Sequence, residues 1–215
     1  VNAAVERWQE PDCGIWEMRG KPRHFVQSKA ACWAAIDKGL RLAEECVRKA
    51  PEKEWRKARQ EIRDCLEHEG YDEKRGVFVQ AIGSKAMDSA LLLLPMLDFV
   101  AYDDERMVRT TNAIMDELME DGLLLRYRAN DNLPGKEGTF IACSFWLAEC
   151  LVRQGRITQA REVFERAMST CSDLGLFPEE YDPKHGMMLG NYPLGLTHLS
   201  HIRAAVALAN VAETT

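Results

Sequence analysis

Three glutamates stand out by their surroundings. In "CGIWEMRGKPRHF", residues 13–25, Glu17 follows a tryptophan, and Arg19, Lys21 and Arg23 come after it. In "LFPEEYDPKHGMMLGNYP", residues 176–193, Glu179 and Glu180 are adjacent, Tyr181 follows, and Tyr192 stands near the end. Two carboxyl groups facing one another can divide acid and base work, one protonating a leaving oxygen while the other takes a proton from water. On a glycosidic bond, that division places the carboxyls roughly 6.5–9.5 Å apart, with water between them. The neighbours suit a sugar. Trp16, Tyr181 and Tyr192 offer flat apolar faces, and the guanidinium groups of Arg19 and Arg126 offer planar forks for hydroxyls. A plainer reading stands beside this one. Glu17 can be a loop acid paired with Arg19 or Arg23, one of Glu179 and Glu180 a solvated turn residue, and Arg126 a structural ion-pair partner. Glu180 then remains a candidate substrate contact.

Carboxylates so far apart in sequence need a scaffold that brings their loops together, and the scaffold reads as all-α. Residues 25–50 carry apolar side chains at close to a 3.6-residue period, and Pro51 ends that run. Further helices are expected over 52–69, 88–99, 104–119, 139–154, 157–171 and 194–212, with Asp103 and Asp104 as candidate caps for the fourth. No strand pairing is expected. Apolar segments (25–50, 88–99, 139–154, 194–212) alternate with charged ones (52–69, 104–119, 157–171), and the long polar loops precede the apolar members. Such alternation describes inner and outer rings of helices, with the long loops gathered at one end of the inner ring. A tetratricopeptide-like array is the competing architecture, but no fixed-period repeat runs through the chain.

Composition narrows the partners. The chain has 215 residues, 46% of them hydrophobic and 29% charged, and a formal net charge of -6. No basic block is present, which argues against nucleic acid and anionic membranes. The longest apolar run, "ALLLLPMLDFVA", is broken by Pro95 and Asp98 and is too short to span a bilayer. Seven cysteines without a CxxC pair read as reduced, buried thiols of a cytoplasmic protein. His198 and His201 have metal-compatible spacing, yet no further ligand is close in sequence, so they read as hydrogen-bonded core residues. Trp33 and Trp146 read as core, Trp55 as packing inward from an outer helix, and His185 and Asp182 as surface.

The stretches "PDCGIWEMRGKPRHFVQSKAACWAAIDKGLRLAE", "EGTFIACSFWLAECLVRQGR" and "GLFPEEYDPKHGMMLGNYPLGLTHLSHIRAA" resemble the second half of glycoside hydrolase family 15, the family of glucoamylases, glucodextranases and trehalases. The resemblance implies about seven helices of a partial (α/α)6 barrel and inverting hydrolysis of terminal α-glucosidic bonds in a glucoamylase-like enzyme. A trehalase of the same family, or a non-catalytic helical scaffold, is the alternative. The resemblance implies Glu17 as general acid, Glu179 as general base and Arg126 as a residue that holds sugar hydroxyls; Trp16, Arg19, Glu180 and Tyr181 are the further substrate contacts expected from their residue types. No metal or cofactor is implied. The expected partner is an α-linked glucose oligosaccharide or trehalose. Met18 and Gln27 depart from residues common in some relatives. Because the chain begins just before the acid, residues 1–215 are expected to be the C-terminal part of the catalytic barrel, lacking the N-terminal β-sandwich and first barrel helices. A second copy or the missing half would then cover the open side, and the isolated chain would be poorly active.

Overall fold

The computed structural model describes residues 1–46, 49–128 and 137–212, with only the backbone of Ala212. The expected first helix across 47–48 and the polar loop across 129–136 fall outside the described residues. Among those described, seven α-helices form: α1 (Asn2–Arg7), α2 (Val26–Glu45), α3 (Glu52–His68), α4 (Glu105–Leu118), α5 (Ile141–Arg153), α6 (Ile157–Met168) and α7 (Gly195–Ala212). This is a mostly helical chain with the alternation expected. The charged helices α3, α4 and α6 bury a stripe each, for example Ala58, Ile62 and Leu66 of α3. By contrast, α5 is buried continuously from Ile141 to Val152. It packs against α6 and α7, and α2 packs against α3. A helix that is apolar all round has to be enclosed.

Several expectations need correction. The segment 88–99 is no α-helix but a short 3-10 turn, Ser89–Leu93. Asp88 caps it by accepting from the Ala90 N–H, and Asp98 adopts a left-handed φ of 61° three residues after Pro95. Leu91 to Leu94 are all buried, so this run fills the centre as a compact knot with no polar face to present. α1 was not anticipated. It is held by Trp55, whose Nε1 donates to Asn2 Oδ1 at 3.0 Å. Lys29 on α2, almost fully buried, also donates to the carbonyls of Trp8 and Glu10, and burial lowers its pKa. The cysteines too differ from expectation. Only Cys143 and Cys150 are buried, whereas Cys13 and Cys46 are exposed.

Strand pairing, not expected from the sequence, occurs in three small antiparallel sheets. β1 (Tyr71–Asp72) pairs with β2 (Val77–Phe78), and β3 (Met119–Glu120) with β4 (Leu123–Leu124). The turn between the latter two is Asp121–Gly122, both at positive φ (48° and 76°), which suits a two-residue hairpin. β5 (Thr139–Phe140), β6 (Glu180–Asp182) and β7 (Met187–Leu189) form the third sheet in that order, with Thr139 opposite Tyr181 and Phe140 opposite Glu180. β5 runs straight into α5, so this sheet joins the loop before α7 to the start of the most buried helix.

Trp33 and Trp146 are core residues, as expected. His198 Nε2 accepts from the Phe177 N–H at 3.2 Å, and His201 stacks on Phe164 with centroids 5.5 Å apart. Burial lowers the pKa of His201. Among the described residues no group of three or more His, Cys, Asp and Glu side chains could hold a metal, and no helix is long and apolar enough to cross a membrane.

Candidate active site

The loops that precede the apolar segments meet at one place. Residues 12–23 form a closed turn whose base is a backbone bridge, with Asp12 and Arg23 exchanging N–H to O bonds of 2.8 Å in each direction. Asp12 also fastens the base through its carboxylate, which accepts from the Gly14 N–H at 2.6 Å and the Ser28 hydroxyl at 2.8 Å. At the tip, Glu17 is exposed and adopts a φ of 50°, left-handed backbone that a non-glycine residue rarely takes. Strain of that kind costs roughly 1–3 kcal/mol and persists where neighbours over-determine it.

Trp16, next to Glu17, turns inward. Its ring meets Phe140 edge-on at 5.2 Å and lies 5.9 Å from Trp146. Its Nε1 donates to Asp88 Oδ1 at 2.9 Å. The indole is therefore fixed by the protein's own aromatic core, more embedded than a sugar platform read from sequence.

Arg126 lies over this assembly, with its guanidinium carbon 5.6 Å from the Trp16 centroid and 5.4 Å from that of Phe140. It makes an ion pair with Glu137 and reaches Glu180 at 3.4 Å. Its Nε is buried without a hydrogen-bond partner among the described residues. The ion-pair reading of Arg126 is therefore realised, and one donor remains uncommitted. Glu180 also accepts from the Gly138 N–H at 3.2 Å. Burial raises the Glu180 pKa, opposed by the Arg126 charge and the Gly138 bond, while neighbouring Glu179 adds to the rise.

Glu179 turns elsewhere. Its Oε2 accepts from the Asn191 backbone N–H and from Asn191 Nδ2, both at 2.8 Å. Gly190 permits this approach, since a Cβ there would sit 2.6 Å from that oxygen. The Glu179 backbone is clamped on both sides, donating to the Asn191 carbonyl at 2.9 Å and accepting from the Ile141 N–H at 3.1 Å. Its Oε1 accepts no hydrogen bond among the described residues.

Arg126 thus links Trp16 to Glu180, with Glu17 and Glu179 each one residue from a member of that trio. The other expected contacts do not join them. Arg19 is exposed, without a hydrogen bond or ion pair among the described residues. Tyr181 lies under Arg166 of α6 at 5.8 Å, and Tyr192 is exposed. Asp182 and His185 form a surface pair at 2.5 Å that lowers the Asp182 pKa. Sequence reasoning missed Asp88, Glu137, Gly190 and Asn191. Asp88 announced itself only as an acid before an apolar run, which reads as a helix cap, and Glu137 carried no signal at all.

The arrangement is one cation among several acids at the mouth of a helical layer, beside a backbone strained at a glutamate. Known proteins resemble this chain at two levels, sequence and fold. Proteins named trehalase match nearly end to end: that of Mycobacterium tuberculosis is 47% identical over 99% of this chain, and that of Thermoplasma volcanium 43% over 97%. This chain spans about a third of their length, 32% and 34%. Among solved structures, a glycosidase in complex with glucose superposes with a TM-score of 0.82 at 22% identity, covering 95% of this chain and 57% of that one. The Saccharomycopsis fibuligera glucoamylase gives 0.82 at 10% identity, over 97% of this chain and 60% of that one. These likenesses show the fold, that of part of an (α/α)6 barrel. The description "Glycosyl hydrolases family 15" matches residues 3–206, nearly the whole sequence, and on that match the chain belongs to glycosyl hydrolase family 15.

Proposed function

We propose that this chain carries the acid and the base of an inverting hydrolase acting on an α-glucosidic bond, and that its substrate is trehalose. Glu17 donates its proton to the bridging oxygen as the bond to the anomeric carbon breaks. Glu179 takes a proton from the water that attacks the opposite face of the ring. After one turnover Glu17 is ionised and Glu179 protonated, and exchange with solvent resets both. The observation that carries this reading is the bridge made by Arg126, which lies over Trp16 on the acid's turn and pairs with Glu180 on the base's strand.

Trehalose is preferred over a glucan because the relatives at 43–47% identity are named trehalase. The glucoamylase likeness rests on fold alone. We take residues 1–215 as the part of the barrel that bears both carboxylates. The remainder of a family 15 fold, or failing that a second copy, completes the grip on the sugar and covers the bare side of α7.

Proton NMR of early trehalose hydrolysis tests the mechanism. Inversion gives α- and β-glucose in equal amounts, since the departing glucose keeps its configuration while the attacked one inverts. Release of α-glucose alone would overturn the assignment. In the same assay Glu179→Gln is expected to lower kcat by about 10³-fold or more with KM little changed, as for a group acting in the transition state. Glu180→Gln should mainly raise KM.

A further inference from the structure

We infer that Asp88 is a positioning residue that sets the acid-bearing turn and the Arg126 segment relative to one another. For its part in catalysis this rests on the function proposed above. Asp88 sits 72 residues from Trp16 in sequence, is 3% exposed, and receives three hydrogen bonds. Trp16 Nε1 and the Ala90 N–H donate to Oδ1 at 2.9 and 2.8 Å, and Gln80 Nε2 donates to Oδ2 at 3.1 Å. Burying a carboxyl group is costly unless donors surround it; burial raises the Asp88 pKa, opposed by the bonds from Trp16, Ala90 and Gln80 and by the Arg126 charge. A buried side chain with two acceptor oxygens is more than a 3-10 turn needs for its cap, and the oxygen shared by the Ala90 N–H and the Trp16 indole ties the two together.

Two further observations give the acid a purpose. Among the described residues, the bond from Trp16 is the only side-chain hydrogen bond made by residues 15–22. The base of the turn is fastened by Asp12; in the tip the Glu17 and Met18 N–H groups donate to the Gly14 and Cys13 carbonyls at 3.2 and 2.8 Å, and among the described residues Asp88 is its one side-chain hydrogen-bond anchor to the rest of the fold. The main chain at Asp88 meanwhile bridges Tyr127, and the next N–H, that of Ser89, donates to the Arg126 carbonyl at 2.8 Å. Asp88 thus holds the turn of Glu17 with its side chain, while the peptide that follows it holds the Arg126 segment.

Gln80 supplies a built-in control. Its Oε1 is buried without a partner, so in Asp88→Asn the Gln80 amide can rotate and accept from the new Nδ2, leaving Oδ1 to receive the indole. Asp88→Asn should therefore keep the geometry, while Asp88→Ala should lose it. The test follows the Trp16 indole N–H and the Glu17 backbone amide by NMR, with Trp16→Phe assigning the indole signal and thermal unfolding checking that each variant is folded. In the wild-type chain the indole proton is expected to exchange slowly with solvent. Asp88→Ala should accelerate that exchange at least tenfold and move the Glu17 amide, and Asp88→Asn should restore both. An indole proton indifferent to Asp88→Ala in a folded variant overturns the inference, as does a Glu17 amide that does not move. If Asp88→Ala does not fold, Asp88→Asn with an exchange-exposed indole overturns it equally. These signals do not depend on turnover. A full-length protein whose Trp16 and Glu17 signals behave so, yet which releases no glucose from trehalose, counts against the proposed reaction and leaves the positioning role standing.

Discussion

Helices α5 and α7 lie against one another, and both are apolar, yet they meet very different surroundings. α5 is enclosed on every side. α7 buries Thr197, Ser200, Ala204 and Ala207 and leaves Leu199, Ile202 and Val206 exposed at 64, 55 and 53%. The buried side of α7 is small and partly polar, while the exposed side carries the larger hydrophobes. A helix evolved for open solvent shows the reverse arrangement, and an exposed patch of this kind marks a surface that another element covers. The difference separates what this chain stabilises by itself from what it offers to a neighbour.

The comparison breaks first at Phe145. This α5 residue is fully buried, with its ring 5.3–5.6 Å from those of Phe164, Phe177 and His201. Phe145→Ala is expected to cost about 3–5 kcal/mol in urea unfolding, the range for an aromatic core truncation. A cost below about 1 kcal/mol would mean that α5 is not the centre of the fold. The seam between the two helices comes next. Arg203 of α7 grips the buried Glu149 of α5 with bonds of 3.0 and 2.8 Å, and Arg153 and Tyr102 share that carboxylate. Arg203→Met should cost about 1.5–3 kcal/mol, toward the low end because Arg203 is half-exposed and Glu149 keeps other donors. The smallest effect belongs to the bare face. Ile202→Lys should change unfolding by no more than about 0.5 kcal/mol while reducing self-association in light scattering. A loss comparable to that of Phe145→Ala would show that Ile202 is already covered.

The two helices also show what a sequence discloses. α3, α4 and α6 are legible because each buries one stripe and wets the other, so 3.6-residue periodicity registers directly. α5 is legible by its length and its stop at Gly155. The run Leu91–Leu94 has no polar face and hence no period, so its 3-10 form could not be separated from a helix. The Asp121–Gly122 hairpin carried a readable signal that the helical pattern around it masked. β5–β6 pairing joins residues 42 apart, which no local pattern encodes. The site divides in the same way. Glu17, Arg126, Glu179 and Glu180 stand out because their neighbours are unusual, whereas Asp88 acquires meaning only from a tryptophan 72 positions earlier.

The pairing of Glu180 with Phe140 has a consequence for how this family member can change length. Successive residues of extended chain diverge, so Glu180 reaches Arg126 while Glu179 reaches Asn191. Surface loops ordinarily absorb insertions and deletions at little cost. The exposed turn over Asp173, Leu174 and Gly175 is of that sort, but it feeds a strand in which a shift by one position would hand Tyr181 to Arg126 and Glu180 to Asn191. Glu180 would then take over the place of Glu179 without any substitution, and Arg126 would face a tyrosine where it now has an acid. Length in this turn is accordingly under the same constraint as residue identity in the site, and natural variants should alter its composition freely while keeping its count of residues.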